Sequence, residues 1–200
     1  MRLSFRMKKQ QHAEPVGEAF RPPATELPPW LPARKRNRLP LDVYRLPGRF
    51  FVTITTERRR PWFRDPEIAG QCARMLRQAC EKEGFTLAAY CFMPDHLHLL
   101  VLTEVDNDLI RFIHRFKQQT GWWFRVRNEA GGLKASPTSA VARPRLWQKS
   151  YHDHVLRRDE ELGDVIRYVL ENPVRAGLVA SCDNYPYAWS SLDEPEPALR

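Results

Sequence analysis

Two histidines separated by one leucine, His96-Leu97-His98, open an apolar run that continues through Leu99, Leu100 and Val101. On a β-strand alternate side chains share a face, so both imidazoles project together while Leu97 anchors the other side. Paired imidazoles on a rigid strand make half of a metal site. The plainer alternative is a pair of polar residues on a half-exposed strand. A second pair of chemically useful residues, Tyr168 and Asn172, is spaced to share one face of a helix. A tyrosine hydroxyl is a candidate nucleophile for phosphoryl transfer, and a carboxamide oxygen is a hard metal ligand. Read more plainly, Tyr168 is a packing residue with a wet hydroxyl and Asn172 ends a helix before Pro173. His152 and His154 repeat the His-x-His spacing but read as a structural segment beside the site. Asp95 either orients His96 or makes the turn before it.

These residues need elements to hold them. Arg49 to Thr56 is β-branched and aromatic, the composition of a strand. The spacing predicts a helix from Pro66 to Glu83: Asp65 is its N-cap, Ile68, Cys72, Met75, Leu76 and Ala79 recur at helical intervals, and Gly84 ends it. Phe85 to Phe92 and His96 to Thr103 read as two strands joined at Pro94-Asp95. Asp106 to about Arg127 reads as a second helix, with Leu109, Phe112, Ile113, Phe116 and Trp123 on one face. Arg111, His114, Arg115 and Lys117 lie mostly off that face, as a solvated surface or a DNA path. Leu146 to Leu156 supplies another strand with its flanks. A last helix starts near Asp159, with Glu160 and Glu161 at the positive end of its dipole, and Pro173 limits its extent. The order β-α-β-β-α-β-α is an α+β pattern: a ferredoxin-like βαββαβ antiparallel sheet with helices packed on it, plus an extra C-terminal helix that carries Tyr168.

The chain has 200 residues and a formal charge of +8. That charge favours a polyanionic partner, nucleic acid ahead of an anionic membrane. Residues 1–40 form a proline-rich, basic extension, and its Arg34-Lys35-Arg36-Asn37-Arg38 cluster is either a solvated tail or a phosphate-binding arm. Residues 41–192 form one domain, with a flexible loop at 129–145, and residues 193–200 are a tail. No segment reaches the roughly 18 consecutive apolar residues of a membrane span, and the basic start lacks an apolar signal core. Cys72, Cys80, Cys91 and Cys182 form no Cys-x-x-Cys pair and read as reduced thiols of a cytoplasmic protein.

Taken in order, the blocks are specific as a set. Cys91 to Val101, then Trp147-Gln148, then Tyr151-His152-Asp153-His154-Val155-Leu156-Arg157, then Tyr168 to Val179 resemble a REP-associated tyrosine transposase of the single-tyrosine HUH superfamily. The resemblance covers roughly residues 41 to 192. It implies an enzyme that cleaves and rejoins single-stranded hairpin DNA of the REP type during transposition. By motif position, it implies His96, His98 and Asn172 as metal ligands and Tyr168 as a nucleophile that forms a 5′-phosphotyrosine. The implied cofactor is Mg²⁺ or Mn²⁺, although imidazole donors by themselves suit manganese or zinc better than magnesium. Arg58, Arg59, Arg60, Arg111, Arg115 and Lys117 are expected as a group to contact phosphates.

Two other readings use the same residues. One is a domesticated protein that occupies DNA hairpins without strand transfer. The other is a phosphohydrolase or nucleotide transferase with a histidine nucleophile. Monomer and homodimer are both compatible with these blocks.

Overall fold

Alternation along three strands explains the architecture. In β1 (Gly48–Thr55), Phe50, Val52 and Ile54 face one way and Phe51 and Thr53 the other. In β3 (His96–Thr103), Leu97, Leu99 and Val101 share the first face, while His96, His98 and Leu100 share the second. β2 (Thr86–Met93) runs antiparallel to β3, with one register shift between Leu87 and Ala89. Both faces of these strands are covered, which is why their sequences are nearly all apolar.

The structure, a computed structural model, describes residues 43–105, 107–130, 144–156 and 161–192. The proline-rich extension, its basic cluster, most of the 129–145 loop, the 193–200 tail, Asp106, Asp159 and Glu160 lie outside the described residues.

Helix α1 (Pro66–Glu83) has the predicted bounds. The Asp65 carboxylate accepts from the backbone N–H groups of Glu67 and Ile68, and Gly84 closes the helix at φ +70°, where a Cβ would be strained. Helix α2 (Leu109–Ala130) lies beside α1, and the two bury Ile68, Cys72, Leu76, Phe112, Phe116 and Phe124 against the first sheet face. Strand β4 (His152–Val155) pairs with β1, and helix α3 (Leu162–Arg175) covers the second face with Val165, Ile166 and Val169. α3 starts at Leu162 and continues past Pro173, with Gly177 following at φ +67°. An unpredicted strand, β5 (Ala188–Ser190), pairs with β2.

The sheet order is β4-β1-β3-β2-β5, every pair antiparallel. The first four strands are the expected ferredoxin-like sheet, and β5 extends it by one. Among the described residues no helix is long and apolar enough to cross a membrane.

Candidate active site

The two-residue turn between β2 and β3 puts His96 and His98 at the start of β3, on the face covered by α3. Backbone bonds hold that turn: Thr56 N–H donates to Asp95 O at 2.9 Å, and Phe63 N–H donates to Pro94 O at 3.0 Å. Asp95 is fully buried, and its Oδ1 lies 2.6 Å from His96 Nδ1. A carboxylate only accepts, so His96 donates from Nδ1, and in the neutral ring Nε2 then carries the lone pair. That Nε2 lies 3.0 Å from His98 Nε2.

With a single proton between the two nitrogens, His98 donates from Nε2 and its Nδ1 accepts from the Thr53 hydroxyl at 3.1 Å. A hydroxyl both donates and accepts, so Thr53 also suits the opposite His98 tautomer, in which both Nε2 atoms offer lone pairs. Burial foremost, then His96 and Arg175, hold the His98 pKa well below 6.5. A neutral, rotationally fixed imidazole is what metal ligation requires.

Tyr168 reaches this point from α3. Its ring meets His98 edge-on at 6.1 Å between centroids and Phe51 at 6.0 Å, while Phe51 stacks on His98 at 5.4 Å. Burial raises the Tyr168 phenol above its ordinary value of 10, and the neighbouring guanidinium of Arg175 opposes that shift. The strand histidines and the helix tyrosine of the sequence pattern are therefore brought together.

Asn172 follows Tyr168 by one turn. Its amide nitrogen donates to Tyr168 O at 2.8 Å and approaches Val169 O at 3.4 Å. Pro173 has no N–H for the Val169 carbonyl, so the Asn172 side chain repairs the ladder where the proline interrupts it. Its nitrogen is thereby fixed on the helix, and the amide oxygen is the atom left to act as a ligand.

Arg175 was not singled out from the sequence. Its guanidinium sits 4.3 Å over the Tyr168 ring, ion-pairs with Glu171 at 3.0 Å, and donates to the Tyr168 carbonyl. The signal that could have found it is its position seven residues after Tyr168, two turns along the same helix.

The arginine groups separate. Arg58 and Arg60 are exposed, whereas Arg59 turns inward and its Nε donates to Asp95 Oδ2 at 3.1 Å. α2 lies on the sheet face opposite the histidines, so Arg111, Arg115 and Lys117 are not brought to the pocket. Arg115 pairs with Glu83 at 3.5 Å, and Lys117 Nζ donates to Lys149 O at 2.9 Å. On β4, His154 sits across from Phe51 and His152 across from Thr53, so this second His-x-His lies on the same sheet face as His96 and His98, one strand beyond β1.

Among the described residues no group of three or more His, Cys, Asp or Glu side chains could hold a metal ion. The donors brought together here are the two imidazoles, while the contacts described for the Asn172 side chain are with the Tyr168 and Val169 carbonyls of its own helix. A separation of 3.0 Å between the two Nε2 atoms matches adjacent corners of an octahedron with bonds of about 2.1 Å. The two imidazoles would thus suit a divalent cation as neighbouring ligands.

An α+β sheet with paired histidines facing a helical tyrosine defines a class, and the comparison with known proteins agrees. Residues 49–172 match the family described as Transposase IS200 like, and the chain belongs to that family. It is 24% identical over 146 residues to the REP-associated tyrosine transposase of Escherichia coli, covering 70% of this chain and 75% of that protein. A Haemophilus influenzae protein bearing a provisional form of the same name is 26% identical over 140 residues, covering 70% and 77%. A solved structure of a REP-associated tyrosine transposase bound to a REP hairpin has the same fold: TM-score 0.57 at 22% identity, over 78% of this chain and 82% of that one.

Proposed function

We propose that this chain cleaves and rejoins single-stranded hairpin DNA of the REP type, with Tyr168 as the nucleophile and His96, His98 and Asn172 as ligands of Mg²⁺ or Mn²⁺. The observation that carries the proposal is the packing of the Tyr168 ring against His98, beside the point where the two Nε2 atoms converge. Family membership and the similarity to REP-associated transposases support it.

A phosphodiester repels an anionic nucleophile, and a free tyrosine is protonated at neutral pH. When bound, the divalent cation supplies charge neutralisation at the non-bridging oxygens. The protein's own contribution is position. Phe51 and Arg175 hold the Tyr168 ring from its edge and its face, and so keep it packed against His98. Asp95 and Thr53 hold the two imidazoles in fixed rotation. A bond forms between the Tyr168 oxygen and phosphorus, the bond to the 3′ oxygen breaks, and that oxygen leaves as a 3′-hydroxyl after taking up a proton. The phosphotyrosine conserves the phosphodiester energy, so a 3′-hydroxyl attacking it restores the strand without a nucleotide cofactor.

Arg58 and Arg60, exposed on the turn that reaches Asp95 through Arg59, supply phosphate contacts, and Arg111 and Arg115 offer a further area on the opposite layer. Incubating the protein with a labelled REP-like hairpin, its flanking single strand and Mn²⁺ is expected to yield a covalent protein–DNA adduct that Tyr168→Phe abolishes. Equal adduct formation by Tyr168→Phe overturns the assignment, and tight binding without cleavage of any flank favours a hairpin-occupying protein.

A further inference from the structure

We infer that Arg59 is a positioning residue for the histidine pair, acting through Asp95 on His96. The inference rests on the proposed role of His96 as a ligand, but its geometry is independent of any bound ion. Five groups stand in one hydrogen-bonded line: Arg59 Nε to Asp95 Oδ2 at 3.1 Å, Asp95 Oδ1 to His96 Nδ1 at 2.6 Å, His96 Nε2 to His98 Nε2 at 3.0 Å, and His98 Nδ1 to the Thr53 hydroxyl at 3.1 Å. Asp95 is fully buried, and both of its carboxylate oxygens are engaged, one by a cation and one by the imidazole.

The backbone is bent to bring Arg59 there. Arg58 and Arg59 both occupy the left-handed region, at φ +55° and +54°, where side chains with a Cβ are strained. A turn that only displayed three arginines to solvent would have no need of two such residues in succession. Here the strain turns the middle arginine inward and leaves Arg58 and Arg60 exposed. The same turn is tied to the residue it clamps. Thr56, fully buried, donates its N–H to Asp95 O at 2.9 Å, and its hydroxyl lies 2.9 Å from Asp95 O and 2.7 Å from Arg60 O.

The chemistry follows from how a carboxylate shares its oxygens. With Oδ2 held by the guanidinium, Oδ1 has one orientation, and His96 can satisfy it only as the Nδ1–H tautomer. That tautomer directs the Nε2 lone pair at the point shared with His98. Partners of this kind behind a metal-binding histidine commonly change metal affinity by about 10–100-fold when removed.

Two measurements test this on the full chain. Long-range ¹H–¹⁵N imidazole spectra without added metal are expected to show a single His96 tautomer, protonated at Nδ1. In Arg59→Ala that signal should shift toward a mixture, and Arg59→Lys should recover part of it. Mn²⁺ titration followed by electron paramagnetic resonance is expected to show affinity falling about tenfold in Arg59→Ala and about 10–100-fold in Asp95→Asn. The double variant should be no weaker than Asp95→Asn alone, because Arg59 acts through that carboxylate. A general loss of stability would lower the melting temperature without moving the tautomer of the folded fraction.

Arg59→Ala with wild-type tautomer and wild-type Mn²⁺ affinity overturns the inference. If Asp95→Asn does not fold, Arg59→Ala and Arg59→Lys decide alone, since the Arg59 side chain is 37% exposed. If the wild-type protein binds no Mn²⁺, the proposed metal site fails, and the imidazole spectra still decide what Arg59 does.

Discussion

The two faces of the central sheet are built from alternate residues of the same strands and serve opposite ends. The face under α1 and α2 is continuous and aromatic-rich: Phe63 meets Phe92 at 5.0 Å, Phe85 stacks on Phe112 at 4.3 Å, and Trp147 donates to the Thr120 hydroxyl at 2.8 Å. The face under α3 has a smaller apolar cluster, and beside it the sheet presents His96 and His98 to Tyr168. Leu97 sits between the two histidines and points the other way. Under the proposed function, stability and chemistry are thus separated by the pleat of one strand, so substitutions one residue apart should have unlike consequences.

The sharpest way to break that comparison is to exchange neighbours on β3. Leu97→Ala, in the fully buried aromatic face, is expected to cost about 2–5 kcal/mol of unfolding free energy by urea titration. His98→Ala is expected to cost less stability, about 1–2 kcal/mol for the lost stacking and hydrogen bond, while reducing adduct formation by about 100-fold or more. Comparable stability losses for the two would mean that the faces do not divide the labour.

Phe51→Ala probes the boundary, because Phe51 packs on both His98 and Tyr168. Adduct formation should fall about tenfold or more with hairpin binding retained, read by comparing single-turnover rates with gel-shift affinity. At the N-terminus of α1, Asp65→Ala removes the N-cap and a salt bridge to Arg127 and should cost about 1 kcal/mol without changing the cleavage rate. The smallest effect on stability belongs to Tyr168→Phe, within about 0.5 kcal/mol of wild type, since the ring contacts survive loss of the hydroxyl.

Much of this was readable from local rules. Asp65, the apolar positions of α1 and Gly84 all point to the same helix, so its limits agree with expectation. The alternation in β3 predicts that His96 and His98 share a face, and the four-residue spacing of Tyr168 and Asn172 puts both on one side of α3. What was not readable depends on contacts between distant segments or on backbone choices with no residue signature. β5 is three residues long and is held by pairing with β2, from Ala89 to Cys91. Arg58-Arg59-Arg60 looks like a uniform solvated run, and only the left-handed turn separates its middle member. Lys117 looks like a free cation on a helix face, yet its ammonium is bound to carbonyls at Lys149 and Ser150. Pro173 reads as a stop, but the Asn172 amide covers the carbonyl it leaves unpaired, and the helix continues.

The central claim concerns one atom, the phenol oxygen of Tyr168. Arg167 and Arg175 bracket it, so trypsin releases Tyr168 to Arg175 as a single peptide. After reaction with a hairpin substrate and nuclease trimming, mass spectrometry should find the residual 5′-linked nucleotide on that peptide, through an acid-stable bond to Tyr168. The same nucleotide on a peptide containing His96 and His98, through an acid-labile bond, would contradict the account.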